Sequence, residues 1–261
     1  MQLLKQNDLL RVGRDYDGGY VISESLMRRT SILLSFGIND DWSFEEDFCR
    51  RTGVTCFGFD FSVNRTLFRK RGWQQIRFFL GDILKRRTIG WKRFAAASAN
   101  FQLHRSFRSF FQTNVFQPYG IDSSTHGHFK TLDGFLAEYL AGKTDIFLKI
   151  DIEGFEYKIA DDIVKNKDRF HALAMEVHDI HGNEHRFADL LDRLGKEYFV
   201  YHAHANNYGS IENIGGYPNV LELSWIRKDL AEPRSFHMDN SHLPIAGIDF
   251  PNDQKSADFK W

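Results

Sequence analysis

Short apolar runs alternate along this chain with amphipathic segments of helical period. The runs are bounded by glycine or polar residues and predict five strands, namely "SILLSFG", "VTCFGFD", "QQIRFFLGD", "DIFLKID" and "FHALAMEVHDI". Between them, "SFEEDFCRRTG" predicts a helix that begins with a capping box from Ser43 to Glu46 and ends at Gly53. "TLDGFLAEYLAGK" and "EHRFADLLDRLGK" predict further helices. Such alternation is typical of βαβ units in an α/β fold with a mostly parallel, doubly wound sheet.

The alternation changes in three places. The last two predicted strands, "EYFVYHAHANN" and "NVLELSWIRK", have no helix between them, which predicts an antiparallel strand near one edge of the sheet. Residues 83–130 form an insertion whose part up to Ile121 has seven basic residues, many aromatic ones and no acidic one. We expect this basic aromatic insertion to be a lid that binds the second substrate. The polar tail at 229–261 is expected to be irregular.

Composition narrows the class of protein. The 261 residues, 42% of them hydrophobic, suit one domain over 1–261 with a sizeable core. The net charge of −1 gives no overall attraction to nucleic acid or to an anionic membrane, so any such preference must be local. Cys49 and Cys56 lack the spacing of a disulfide framework or a thiolate metal site. Because the N-terminus does not resemble a signal peptide and no run suits a membrane span, we expect a cytoplasmic protein.

Polar residues stand where the predicted strands end. Gly37, Asp60, Asp82, Asp151 and His178 each follow one of the predicted strands. Carboxyl ends of parallel strands lie on one rim of a sheet, and ligands bind there at the point where the strand order reverses. Unpartnered buried carboxylates are costly, so the carboxylates of this rim are expected to be exposed or to form a site.

The stretch "DIFLKIDIEGFEY" carries the densest group of charges. With period 2, Lys149, Asp151 and Glu153 share one face of a strand that emerges from the core. The sequence therefore predicts that Asp151 lies at the centre of a reaction site.

The first crossover predicts a nucleoside cofactor. A strand, Gly37, a loop and a helix N-terminus bring backbone N–H groups close to a ligand, and Asp60 follows at about the spacing of a ribose-binding acid. The loop "GINDDW" is not GxGxxG, and its Asp40 and Asp41 would repel a pyrophosphate. A nucleoside with a cationic tail, such as S-adenosylmethionine, suits this loop better than a dinucleotide.

These motifs resemble a known family. "LKIDIEGFEY" is similar to the LKIDxEGxE signature of FkbM-type S-adenosylmethionine-dependent methyltransferases, and "DGGYVI", "LLSFGINDDWSFEEDF", "CFGFD" and "VLELSWIRKDL" resemble a subgroup of them. The resemblance runs from about Arg11 to Leu230. It implies a class I methyltransferase (Rossmann-like) sheet of seven strands with an antiparallel last strand. It also implies O-methylation of sugars in glycan, polysaccharide or natural-product biosynthesis.

The resemblance also implies roles for single residues. Gly37 and Glu45 fall in the cofactor loop and helix, Asp60 matches the ribose acid, and Asp82 matches an acid on the adenine side. Lys149, Asp151 and Glu153 form the signature itself.

Two mechanisms for activating a hydroxyl group stay open at this point. Asp151, His178 and either His202 or His204 can bind Mn²⁺ or Mg²⁺ through mixed oxygen and nitrogen ligands. Alternatively, His178 acts as a general base without a metal, oriented by Glu176 or Asp151.

The expected acceptor is a sugar or a nucleotide-sugar, because the cations of the insertion suit a phosphate or carboxylate and its aromatic rings suit a sugar. An RNA methyltransferase is the first alternative, although the neutral overall charge makes nucleic acid an unlikely partner. A nucleotide-binding module without catalysis is the second. The sequence is compatible with a homo-oligomer and does not fix the oligomeric state.

Overall fold

The computed structural model describes residues 1–84, 90–210, 212, 215–231 and 235–260. In chain order the strands are β1 Leu9–Val12, β2 Tyr20–Ser23, β3 Ile32–Phe36, β4 Thr55–Phe59, β5 Val115–Gln117, β6 Gly120–Ile121, β7 Phe129–Lys130, β8 Ile146–Ile150, β9 Phe170–Val177, β10 Tyr198–Ala205 and β11 Leu221–Arg227. The helices are α1 Glu24–Arg29, α2 Ser43–Thr52, α3 Leu67–Leu84, α4 Gly90–Thr113, α5 Leu132–Tyr139, α6 Ala160–Lys165 and α7 Glu184–Gly195.

Within the described ranges, seven strands form the central sheet in the order β10-β11-β9-β8-β3-β4-β5. Neighbouring strands are parallel except β11, which is antiparallel to both β9 and β10. This order confirms the class I methyltransferase fold and its antiparallel last strand. The strand order reverses between β3 and β8, so the loops that follow these two strands leave a cleft at their carboxyl ends.

Helices cover both faces of the sheet. Leu34 and Leu148 pack on the face covered by α5, α6 and α7, and Leu33 and Phe147 pack on the opposite face with α1 and α2. All four side chains are fully buried. Strands buried on both faces take apolar residues at most positions, which is why the sequence shows nearly continuous apolar runs here.

The predicted strand "QQIRFFLGD" is wrong, because these residues belong to α3. A short apolar run fits a strand or a helix equally well, and here α4 packs against α3 and fixes the helix. The edge strand of the parallel set is instead β5, which follows both helices. Asp82 is therefore not at a strand end. Its carboxylate lies near the C-terminus of α3 and accepts a hydrogen bond of 2.6 Å from Nε of Arg93 in α4.

The basic aromatic insertion is built mainly from an antiparallel helix pair, α3 and α4, and this pair begins at residue 67 rather than 83. Phe107, Phe110 and Phe111 of α4 are buried against Phe68 and Phe116 and anchor the pair on the sheet edge. The predicted cations at residues 85–87 lie outside the described residues. None of the described helices is both long enough and apolar enough to cross a bilayer.

The capping box predicted for α2 is also wrong. Trp42 is the N-cap without a side-chain hydrogen bond, and the backbone N–H of Ser43 donates to Asp41 at 2.9 Å. The predicted helix end is confirmed, since Gly53 takes a left-handed φ of 75°. Residues 235–260 of the tail contain no helix or strand, yet they lie across β10 and β11 and contribute buried side chains there.

Candidate active site

Two adjoining cavities occupy the carboxyl ends of β3, β4, β8 and β9. The larger measures about 360 Å³ and the smaller about 160 Å³. Both are lined by Gly37, Asn39, Asp151 and Glu153, so they meet at the tips of β3 and β8. This is the cleft that the reversal in strand order predicts. We call the smaller cavity the aromatic chamber and the larger one the acidic chamber, after the side chains that line them.

The aromatic chamber has rings along one side. The rings of Phe61 and Phe129 lie 4.8 Å apart, and those of Phe129 and Phe155 lie 5.8 Å apart and nearly parallel. Asp60 stands at the border of this chamber. A flat apolar group that stacks on rings and carries polar atoms at one edge, such as a purine nucleoside, fits these walls.

The acidic chamber contains many more carboxyl groups than cations. Among the described residues that line it, the cations are Lys149 and His178, and the carboxyl groups belong to Asp17, Asp40, Asp41, Glu45, Asp151, Glu153, Glu176 and Glu222. Such a lining attracts a positively charged ligand and repels a phosphate or carboxylate.

Gly37 allows the tips of β3 and β8 to approach each other. It has a φ of 84°, and a Cβ atom at this position would lie 1.6 Å from the carbonyl oxygen of Asp151. The N–H of Asp151 donates to the carbonyl of Phe36 at 3.0 Å, which ties the two tips together. A side chain at position 37 would push apart the two loops that form both chambers.

Asp60 organises the cofactor loop. One oxygen of its carboxylate accepts from the N–H groups of Ile38 at 2.9 Å and Asn39 at 2.7 Å. The other oxygen accepts from the N–H and the hydroxyl of Ser62, both at 2.7 Å. These four bonds use the acceptor sites of a carboxylate, so a ribose hydroxyl at Asp60 would have to replace one of them.

Lys149 is a buried cation under the junction of the chambers. Its Nζ donates to the carbonyl of Gly37 at 2.7 Å and lies 3.4 Å from Asp151 and 3.9 Å from Glu45. Burial alone would lower the pKa of Lys149, but the carboxylates of Asp151 and Glu45 outweigh it and raise the pKa. Burial raises the pKa of Glu45, and the Lys149 charge and the Ser35 hydroxyl oppose that rise.

Asp151 belongs to a chain of acidic groups. The Tyr20 hydroxyl lies 3.3 Å from Asp151 and 3.4 Å from Glu176, and Asn206 donates to Glu176 at 2.6 Å. Burial, together with the charges of Asp151 and Glu222, raises the pKa of Glu176 well above its usual value.

His178 is oriented by a carboxylate that the sequence analysis did not propose. Its Nδ1 lies 3.0 Å from the fully buried Glu156, whereas Nε2 lies 3.8 Å from Asp151 and 3.6 Å from Glu153. The hydrogen bond that fixes the ring thus comes from Glu156, while the predicted partner Asp151 faces the opposite ring nitrogen. Burial alone would lower the pKa of His178, but the hydrogen bond to Glu156 and the charges of Glu176 and Asp151 raise it to about 9.

Asp151, Glu153 and His178 can together hold a divalent metal ion. One ligand atom from each lies within 4.8 Å of the others. Glu156 fixes the ring through Nδ1 and leaves Nε2 facing the two carboxylates, as second partners of metal-binding histidines do. Mixed carboxylate and imidazole ligands suit Mn²⁺ or Mg²⁺.

The two histidines of β10 do not join this group. The ring of His204 lies between Glu222 at 3.2 Å and Asp258 at 3.3 Å, so the metal ligand predicted at His204 is wrong. His202 pairs with Asp249 at 3.1 Å. Burial opposes the charge of His204, but hydrogen bonds to Asp258 and Glu222 raise its pKa to about 10. Asp249 and Asp258 come from the tail, whose position no local pattern indicates.

The structure thus brings together most of the predicted site residues. Those that line the chambers are Gly37, Glu45, Asp60, Lys149, Asp151, Glu153, Glu176 and His178. Asp82 and His204 line neither chamber, and neither do the described residues of the predicted lid up to Tyr119. Sequence reasoning missed Tyr20 and Glu156. Glu156 is the second glutamate of the LKIDxEGxE pattern, so the signal for it was present in the chain.

One protein-family model matches the part of the chain that contains these residues. Residues 129–207, which include Asp151, Glu156 and His178, match the family model described as methyltransferase FkbM domain. A search of curated proteins finds no match.

Several solved structures are similar to this chain at low identity. A fibrillarin pre-rRNA processing protein from Methanococcus jannaschii has 9% identity and a TM-score of 0.38, with 77% of this chain and 68% of that chain covered. A human methyltransferase 10 domain containing protein has 8% identity and a TM-score of 0.38, with 76% and 72% covered. A precorrin-6y C5,15-methyltransferase from Geobacter metallireducens has 10% identity and a TM-score of 0.35, with 77% and 82% covered. TM-scores below 0.5 carry no information about the acceptor.

Proposed function

We propose that this chain, which belongs to the FkbM methyltransferase family over residues 129–207, transfers the methyl group of S-adenosylmethionine to a sugar hydroxyl. The observation that carries the proposal is the meeting of an aromatic chamber and an acidic chamber at Gly37 and Asp151. The first suits an adenine, and the second suits a sulfonium and an ammonium group.

The residues of the junction have separate tasks in this proposal. Phe61 and Phe129 stack on the adenine, and Asp60 binds the ribose by exchanging one of its four hydrogen bonds. The carboxylates of Glu45 and Asp151 attract the positive groups of the cofactor, while Lys149 holds the Gly37 carbonyl in place. S-adenosylmethionine, when bound, would supply a methyl group whose carbon the acceptor oxygen attacks in line, with S-adenosylhomocysteine as the leaving group.

His178 takes the proton of the acceptor hydroxyl in this proposal, and Asp151 orients that hydroxyl. With a pKa of about 9, His178 is protonated at neutral pH in the free protein and cannot act as a base. A bound cation lowers the pKa of a neighbouring imidazole, so cofactor binding prepares His178 for proton transfer. Nε2 faces the acidic chamber because Glu156 holds Nδ1.

The same geometry favours a divalent cation as a second way of activating the hydroxyl. A metal at Asp151, Glu153 and His178 would act as a Lewis acid toward a sugar hydroxyl. It would compete with the proton on Nε2 of His178, so its affinity would rise with pH.

The charge of the acidic chamber restricts the acceptor. A neutral or cationic part of the sugar suits the reacting end, because eight carboxyl groups face two cations there. A nucleotide-linked or acidic sugar therefore fits only if its anionic group stays outside this chamber.

Calorimetric titration of S-adenosylmethionine, with Mn²⁺ and after chelation, tests the cofactor and the metal together. Equal micromolar binding in both states supports His178 as the base, and binding or heat that requires Mn²⁺ supports the metal. Binding in neither state would overturn the proposal and favour a module without this activity.

Methyl transfer to a panel of neutral and acidic sugars tests the reaction, with Asp151→Asn as the variant. Asp161→Asn is the matched control, because Asp161 is exposed on α6. We expect Asp151→Asn to lose turnover at saturating acceptor while it still binds S-adenosylmethionine. Full turnover by this variant would refute the role of Asp151.

A further inference from the structure

The far end of the α3–α4 pair has no role in the chambers. Ring contacts join Trp73 to Phe101 and Phe79 to Phe94, so the two helices are antiparallel and the end of α3 lies beside the start of α4. We call the described residues 78–83 and 91–94 the hairpin tip. At 1.5 Å per residue, the end of α3 lies about 24 Å along its axis from the buried Phe68 at its base.

Large apolar side chains are exposed at the hairpin tip. Trp91 is 74% exposed, Leu80 and Ile83 are 54% exposed, and Phe78 and Phe94 are 47% exposed. These residues occupy the last turns of α3 and the first turns of α4, beside the ring cluster of Phe79, Trp91 and Phe94. Apolar groups concentrated at one end of a structure mark a surface that contacts a partner.

The charge around the tip indicates which partner. The described residues of α3 and α4 include eight basic side chains and one acidic one, whereas the whole chain has a net charge of −1. The acidic one, Asp82, pairs with Arg93 within the tip. Lys92 and Arg77 are exposed beside the apolar residues. The helix pair is thus a local cationic surface on a chain without an overall field.

We propose that the hairpin tip inserts into the interface of an anionic phospholipid membrane. Trp91 is suited to the headgroup region, and Leu80 and Ile83 are suited to the acyl boundary below it. Each nearby Lys or Arg adds attraction to anionic lipid. A second copy of this chain is a poorer occupant, because two such cationic surfaces repel each other. Nucleic acid is also poorer, since only the aromatic rings of the tip could stack on bases and the aliphatic side chains of Leu80 and Ile83 would stay exposed to water.

Flotation of the whole protein with vesicles tests this proposal without any methyl acceptor, so its outcome is separate from that of the proposed reaction. The vesicles are phosphatidylcholine alone, or with about a third of phosphatidylglycerol. We expect binding to the mixed vesicles that weakens as salt rises. Leu80→Ser with Trp91→Ser should reduce that binding at least about tenfold. Met238→Ser, at a residue 96% exposed in the tail, is the matched control and should bind as the unaltered protein does.

Several results would overturn the membrane proposal. No binding to mixed vesicles at low salt, equal binding to neutral vesicles, or unchanged binding of the double variant would each overturn the proposal. Binding to an RNA oligonucleotide in the absence of vesicle binding would overturn it in favour of nucleic acid.

Discussion

Glu156→Gln should lower the pKa of His178. Glutamine keeps the size of the side chain and an oxygen that can still accept from the N–H groups of Ile152 and Gly154, at 3.1 and 3.2 Å in the structure. The substitution removes the negative charge 3.0 Å from Nδ1 of His178. The hydrogen bond that His178 donates to Glu156 is the largest of the effects that raise this pKa.

The structure sets the size of the effect. The pKa of His178 rises from 6.5 to about 9, which corresponds to about 3 kcal/mol of preference for the charged ring. Because the folded pKa is above the unfolded one, this stabilisation is complete below about pH 6.5 and is lost as pH rises through about 9. We expect Glu156→Gln to lower the pKa of His178 by at least about 1, which corresponds to about 1.4 kcal/mol less preference for the charged ring.

An NMR titration of the histidine ring resonances, with His178→Asn for assignment, measures this pKa. Glu153→Gln is the matched control, because Glu153 is 80% exposed and its charge near Nε2 is screened by water. We expect that control to change the pKa much less than Glu156→Gln does. An unchanged pKa in Glu156→Gln, or an equal change in both variants, would refute the role assigned to Glu156.

Three further changes probe other parts of the fold. Gly37→Ala should lower the unfolding free energy by at least about 3 kcal/mol and abolish cofactor binding, because the alanine Cβ would clash with the Asp151 carbonyl. Urea unfolding measures the loss, and a variant as stable as the unaltered protein would contradict this prediction. The pKa of His204 is raised to about 10, so the stability that its charge contributes should be lost as pH rises from about 6.5 to 10. Urea unfolding midpoints measured across this pH range should fall, and they should fall less in Asp258→Asn. Phe61→Ala should weaken S-adenosylmethionine at least about fivefold in calorimetry without changing the melting temperature much, because the ring is 56% exposed; unchanged affinity would place the adenine elsewhere.

The local patterns succeeded where one residue and its neighbours decide the conformation. The strand from Ile146 to Ile150 is apolar because helices cover both faces of the sheet, and its charged end follows from the cleft beside it. The end of α2 at the left-handed Gly53 was also predicted correctly, because a helix end depends on the residue at that position and its neighbours. The run "QQIRFFLGD" failed because its apolar residues fit both periods, and only packing against α4 selects the helix.

Residue patterns along the chain were enough to predict the edge of the sheet where the site lies. Acidic residues and glycine after successive apolar runs, with the LKIDxEGxE pattern, were enough to predict the fold and to place Asp151 and His178 at one edge. The pairing of those groups depends on how distant parts of the chain pack together. Glu156 rather than Glu176 forms the hydrogen bond that orients His178. Asp258 of the tail pairs with His204, so this histidine does not face the chambers. Residues that are far apart in the chain meet only when the sheet and the tail have assembled, and burial then strengthens their hydrogen bonds. Local periodicity therefore cannot predict which of them pair.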